Sequence, residues 1–233
     1  MQLIIPGLYQ FTNTIAGRIY MIADPDGVTL VDTGMRPAAD IVLDQLAATG
    51  RRPTDIKRIL ITHAHPDHAD GLPKLKEASG AQVIASAVES PFVQGQQPVP
   101  RPNRDDLPSL AKLMYLPSTP LAGAPVDREV NDGDIIAEAM GGLQVIATPG
   151  HAPGHVSYWQ PQQRVLFVGD VMMRLPWGLS LPVAAYTPDM DENKRSIKRL
   201  AELDARVACF GHGPPIRQSA ASIIREFAQT LTV

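Results

Sequence analysis

One cysteine, Cys209, is all the chain has, so no intrachain disulfide can form and the small disulfide-scaffold classes are excluded. No apolar run approaches the ~18 residues that a membrane-spanning helix needs. Net charge is only -3 and Lys and Arg are nowhere clustered, which argues against a nucleic-acid partner. The segment Met1 to Phe11 has neither the basic region nor the apolar block of a secretory signal, so the expected compartment is the cytoplasm. What remains, 233 residues that are 44% hydrophobic and 19% charged, reads as one globular domain over 1–233 with a sizeable core.

Proline is present in excess, at 22 residues, and unevenly placed. Pro91, Pro98, Pro100, Pro102, Pro108, Pro117, Pro120 and Pro125 fall in one stretch that no regular element survives uninterrupted, read as an inserted loop over 91–126. Within it, Leu107, Leu110, Leu113, Met114 and Leu116 predict one short helix with an apolar face.

Around the insert, strand and helix patterns alternate. Strands are predicted at Gly7 to Phe11, Arg18 to Ala23, Val28 to Asp32, Arg58 to Thr62, Gln82 to Ser86, Ile135 to Ala139, Leu143 to Thr148, Val156 to Gln160, Arg164 to Val168 and Arg206 to Phe210. Helices are predicted from Pro37 to Gly50, from Gly71 to Gly80 and on both sides of the last strand. An echo runs through this order: a strand ends at Asp32 and the next before His63, then a strand ends before Asp170 and the next before His212. It would bring four C-terminal strand ends to one edge, where α/β proteins place their sites.

The chemistry follows the apolar strand Arg58-Ile59-Leu60-Ile61, in Thr62-His63-Ala64-His65-Pro66-Asp67-His68. A chance His-x-His-x-Asp-His in a chain of this composition has a probability of roughly a few in ten thousand. Imidazoles and a carboxylate so crowded are poorly satisfied without a cation, and they are the donors that zinc takes. Alternation along an extended segment sets His63 and His65 to one side and Asp67 and His68 to the other, which suits two ions. His151, His155, Asp170 and His212 each stand just past an apolar strand, beside glycines, and complete the use of all 6 histidines.

These motifs, with Val31-Asp32-Thr33-Gly34, Asp132-Gly133-Asp134 and Gly211-His212-Gly213-Pro214-Pro215 in the same order, resemble the metallo-β-lactamase superfamily over nearly the whole chain. The branch resembled is that of dinuclear hydroxyacylglutathione hydrolases and acyl-homoserine lactonases. The resemblance implies an α/β fold, a four-layer αββα sandwich with metals at one edge of the paired sheets. It implies His63, His65 and His151 at a first metal, Asp67, His68 and His212 at a second, and Asp170 bridging both. Asp67 and Asp170 would be catalytic, Asp32 would orient a ligand histidine, and His155 would hydrogen-bond within its loop. The cofactors would be two divalent ions, zinc first, with iron or manganese as the alternatives. Two close cations lower the pKa of bound water and polarise a carbonyl, which is enough to hydrolyse an ester, lactone or thioester.

Departures from the branches narrow the substrate. The best-known β-lactamases carry Cys where Asp170 stands, and the chain ends about twenty residues past His212, with room for one helix and not for a glutathione-binding region. The lactonase tyrosine three residues beyond the bridging aspartate is here Met173, with Tyr115, Tyr158 or Tyr186 as possible replacements. Other readings stay open, a mononuclear iron persulfide dioxygenase and a non-catalytic metal-binding module. The resemblance also places the insert over the metal edge, with its apolar helix opposite Trp177 and Leu179. The expected substrate is a small neutral or acyl-bearing ester or lactone, in preference to polyanions. Cys209, inside an apolar strand, is expected to be buried and inert.

Overall fold

A computed structural model describes residues 1–232. One sheet holds, in spatial order, β1 (Gln2–Ile5), β2 (Leu8–Gln10), β3 (Tyr20–Asp24), β4 (Gly27–Val31), β5 (Ile56–Leu60), β6 (Gln82–Ser86) and β7 (Arg128–Val130). Its first four strands form an antiparallel meander, and β4 to β7 run parallel. Helix α1 (Ala38–Ala47) links β4 to β5. Helices α2 (Pro66–Ala69) and α3 (Leu72–Ser79) link β5 to β6.

The insert carries α4 (Ser90–Val93) and α5 (Ser109–Met114). A second sheet follows, from β8 (Ile135–Ile136), β9 (Leu143–Ala147), β10 (Val156–Gln160) and β11 (Val165–Gly169). A small hairpin, β12 (Met173–Leu175) and β13 (Gly178–Ser180), precedes α6 (Met190–Ala201), β14 (Val207–Phe210) and α7 (Ala220–Gln229). The second sheet is ordered β14-β11-β10-β9-β8, with β11 and β14 parallel.

Both faces of the central strands are buried, which is why they read as unbroken apolar runs. Ile59, Ile61, Val83 and Ala85 face α1 and α3, whereas Leu60 and Ile84 face inward. Across the sandwich Val165, Phe167, Val207 and Cys209 point to the same interior, and Leu166, Val168, Ala208 and Phe210 pack against α6 and α7. The period of two therefore divides each strand between two apolar layers, three in the whole sandwich, and helices close the outside: the four-layer αββα arrangement expected.

Two tyrosines cross that interior. Tyr20 of β3 donates to the carbonyl of Phe210 at 2.7 Å, and Tyr158 of β10 donates to the carbonyl of Ile61 at 2.8 Å. Each ties the end of a strand in the opposite sheet. Tyr158 is thus spoken for and cannot replace a catalytic tyrosine.

The sequence missed β1, β7 and the β12–β13 hairpin, all of four residues or fewer. The strand expected over Ile135 to Ala139 contracts to Ile135–Ile136, and a turn follows it. In the insert the helix is confined to Ser109–Met114, and Leu110 and Leu113 are 75% and 83% exposed. Its apolar face does not turn inward. Trp177, 80% exposed, sits in the turn of the β12–β13 hairpin, and Leu179 packs against the α6–α7 layer, so neither faces the insert across a cleft.

Candidate metal centre

Four strand ends meet at one edge. Asp32 follows β4, His63 follows β5, Asp170 follows β11 and His212 follows β14, and the two parallel pairs β4/β5 and β11/β14 give the echo seen in the sequence its geometry.

Three imidazole nitrogens converge there. His65 Nδ1 lies 3.1 Å from His63 Nε2 and 2.9 Å from His151 Nε2. Their partners on the far side fix which nitrogen carries the proton. Thr62 commits its hydroxyl hydrogen to Asp32, so His63 Nδ1–H donates to Thr62 Oγ1 at 3.0 Å. Thr187 commits its own to the carbonyl of Val183, so His151 Nδ1–H donates to Thr187 Oγ1 at 3.1 Å. Both Nε2 atoms then bring lone pairs to the point where Nδ1 of His65 meets them. Burial first, then the neighbouring imidazoles, holds His63 and His65 well below the ordinary histidine range, and burial brings His151 down to about 4. The three are neutral donors at neutral pH.

The second group is richer in carboxylate. His212 Nε2 lies 3.1 Å from both Asp67 Oδ2 and Asp170 Oδ2. His68 Nε2 lies 3.3 Å from Asp170 Oδ1, while its Nδ1–H donates to Asp32 Oδ2 at 2.8 Å. Burial alone would lower His212, but Asp170 and Asp67 raise it to about 9, and the same balance lifts His68. Asp170 also reaches the first group, with Oδ2 3.5 Å from His151 Nε2.

A cation fits this arrangement on the structure's own terms. His68 Nε2 and Asp170 Oδ1 are buried with no hydrogen-bond partner, a costly condition that an ion between them would relieve. Ligand atoms on a tetrahedral zinc stand about 3.3 Å apart, given zinc–nitrogen lengths of about 2.0–2.1 Å. The separations here, 2.9 to 3.8 Å, bracket that value. Three sets could hold an ion, His63/His65/His151, His63/His68/Asp170 and Asp67/His68/His212, so the structure brings together every metal-type residue singled out in the sequence except His155.

His155 instead supports the site. Its Nε2 accepts from the backbone N–H of Asp170 at 3.0 Å, and its Nδ1–H donates to Thr148 Oγ1 at 2.8 Å. Gly169, at φ +62°, makes this approach possible, because a Cβ there would lie within 2.6 Å of the His155 ring. At Gly211 a Cβ would collide with Asp170 Oδ1.

Sequence reasoning passed over Glu89. Buried between the loops, its Oε2 accepts from Ala64 N–H and its Oε1 from Gly154 N–H, each at 2.8 Å, clipping the His63–His68 turn to the His151–His155 turn. Burial pushes its pKa up to about 7 against those bonds. Nothing in the spacing around Val88-Glu89-Ser90 marks it, since its partners are backbone groups.

Above the metal-type residues opens a cavity of about 400 Å³. His65, Asp67, His151, Asp170 and His212 form its floor. Val99, Arg101, Leu116 to Thr119 and Leu121 of the insert, with Met35, Met173, Val183 and Tyr186, form its walls. The insert therefore does lie over this edge, through its loops and not through the face of α5.

Comparison with known proteins agrees with the fold. A profile described as the Metallo-beta-lactamase superfamily matches residues 13–212. A probable metallo-hydrolase of Bacillus subtilis, YybB, is 29% identical over 198 residues, 84% of this chain and 80% of that protein. A hydroxyacylglutathione hydrolase of Maricaulis maris is 30% identical over 194 residues, 82% of this chain but only 60% of its own length. The crystal structure of a metallo-beta-lactamase family protein of Thermus thermophilus superposes with a TM-score of 0.70 at 27% identity, covering 98% of this chain and 80% of that one.

Proposed function

Because the chain belongs to the metallo-beta-lactamase superfamily, we propose that it is a dinuclear metal-dependent hydrolase of small ester, lactone or thioester substrates, one domain over 1–233 working in the cytoplasm. The observation that carries this reading is Asp170, whose carboxylate stands between two sets of donors, with an oxygen 3.1 Å from His212 and 3.5 Å from His151. His63, His65 and His151 would hold one ion, Asp67, His68 and His212 the other, and Asp170 both; imidazole and carboxylate donors favour zinc. When bound, the ions would supply a water of lowered pKa and a polarised substrate carbonyl.

The protein's own residues do the rest. Asp67 is the more open carboxylate, its side chain 26% exposed against 5% for Asp170, so the oxygen it does not turn toward His68 and His212 is the one placed to take a proton and pass it to solvent. Asp32, Thr62 and Thr187 hold His68, His63 and His151 in the tautomers that leave Nε2 free. Leu116, Leu121, Val99, Val183 and Met173 offer an acyl group an apolar wall and exclude water from it.

The test is metal analysis of protein purified without exposure to affinity-column metals, then turnover of lactones, aryl esters, thioesters and phosphodiesters. Close to two ions per chain and turnover that chelation abolishes and zinc restores is the expected result. A single iron per chain, with oxygen uptake on a persulfide and no ester turnover, would overturn it.

A further inference from the structure

The cavity has one arginine, Arg101, and no lysine in its lining, and among the described residues no carboxylate pairs with Arg101. Its guanidinium lies over the Tyr186 ring, 4.8 Å from the centroid, a contact that orients the group and keeps it rigid. Tyr186 is itself anchored, its hydroxyl donating to the carbonyl of Met114 at 2.8 Å. Nε of Arg101 is buried without a partner. Burial draws its pKa below the usual arginine value, yet guanidinium stays charged at any working pH.

The one polar contact Arg101 makes is with His65, Nη1 to Nε2 at 2.6 Å. That contact is incompatible with the role of His65 proposed above. A histidine that gives Nδ1 to a cation keeps its proton on Nε2, and an N–H facing a guanidinium N–H sets donor against donor. In the metal-holding tautomer Arg101 is therefore left with no protein acceptor among the described residues, one imidazole ring away from the reacting centre. A half-buried, oriented guanidinium on which the nearest carboxylate, Asp67, acts only from beyond ion-pair distance is presented to an acceptor that enters from the cavity.

We propose that Arg101 is the substrate-anion receptor of this cavity, and that the substrate class is an acyl compound carrying one carboxylate, held by the guanidinium while its ester, lactone or thioester carbonyl faces His63, His65 and His151. This rests on the hydrolase reading and narrows it. The apolar wall and the single cation together select a monoanion over both neutral acyl chains and polyanions.

Two matched pairs of compounds test it. The first is the para-nitrophenyl monoester of glutaric acid and the same ester with its far carboxyl methylated. The second is the corresponding pair of anilides, which are not cleaved and whose binding is read by calorimetry. The metal-loaded protein is expected to favour the free carboxylate by roughly ten- to a hundredfold in kcat/KM, mostly through KM, and by a similar factor in anilide affinity. In Arg101→Gln both ratios collapse toward one, and Arg101→Lys, which keeps the charge but not the fork, restores part of them. A ratio near one in the parent protein, or a carboxylate preference that persists in Arg101→Gln and so belongs to the ions, overturns the proposal. If neither ester is cleaved the hydrolase reading fails, and the anilide ratios decide Arg101 by the same criterion. Thermal melting of both variants separates misfolding from loss of recognition.

Discussion

The backbone N–H of Asp170 donates to Nε2 of His155 at 3.0 Å. A histidine with no place in any candidate ligand set thus aims the carboxylate that stands between both sets. His155→Ala is expected to retain both ions and to lower kcat by about 10- to 100-fold, the usual cost of removing a group that orients a ligand. His155→Gln, whose side-chain oxygen can accept the same N–H, should recover part of the loss. Metal content measured beside kcat decides it, and loss of an ion in His155→Ala would make this residue a ligand.

Asp170→Asn bears on the bridge itself. A neutral amide balances neither ion, so turnover should fall by orders of magnitude and at least one ion should bind more weakly. Zinc titration against a chromophoric chelator, alongside ester turnover, reads both. Full occupancy with full activity would refute the bridging role.

Glu89 gives a prediction about stability. Both its oxygens accept backbone N–H groups, and an amide in its place offers only one acceptor while turning an NH2 against the other donor. Glu89→Gln should cost about 1–3 kcal/mol, which at this size lowers Tm by roughly 2–4 °C per kcal/mol. A melt within experimental error of the parent would show that the clip carries no weight.

Acid should destabilise the metal-free protein through the buried histidines. His151 and His155 are brought to about 4 and about 3 by burial, below the 6.5 of an open chain, so between those values the unfolded chain binds more protons than the folded one. Stability from these groups is full above about pH 6.5 and falls as pH drops toward 3, with a limiting slope of about 1.4 kcal/mol per pH unit for each. Denaturant midpoints of the metal-free protein between pH 7 and 4, compared with His155→Gln, check the sign: the variant should show the shallower fall.

The sequence made some of this legible because it wrote it twice. Strand ends at Asp32, His63, Asp170 and His212 could be read off because buried strands are continuous apolar runs and these polar residues break them abruptly. The separation of His151 from His155 followed from motif position, whereas the bond between His155 Nε2 and the Asp170 N–H could not be read from it. Glu89 and Arg101 stayed hidden because each acts through partners remote in sequence: backbone amides of two distant loops, and an aromatic ring 85 residues on. The insert helix was misjudged for another reason. Its leucines repeat at helical spacing, but α5, six residues long and set between Pro108 and Pro117, is too short to bury a face, so Leu107 before it is buried and Leu116 after it lines the cavity instead.

The tyrosines that cross the interior couple the site to the whole fold. Tyr20 reaches from the first sheet to the residue before Gly211-His212, and Tyr158 reaches from the second sheet to the residue before Thr62-His63. Backbone bonds run the same way, from Arg18 N–H to the carbonyl of Gly211 at 2.8 Å and from Val156 N–H to the carbonyl of Thr62 at 3.0 Å. Each half of the donor set is therefore staked to the opposite half of the sandwich. The sheets cannot slide or part without dragging the segments that carry His63 and His212 out of register, so these two donors share the stability of the sandwich rather than that of a loop.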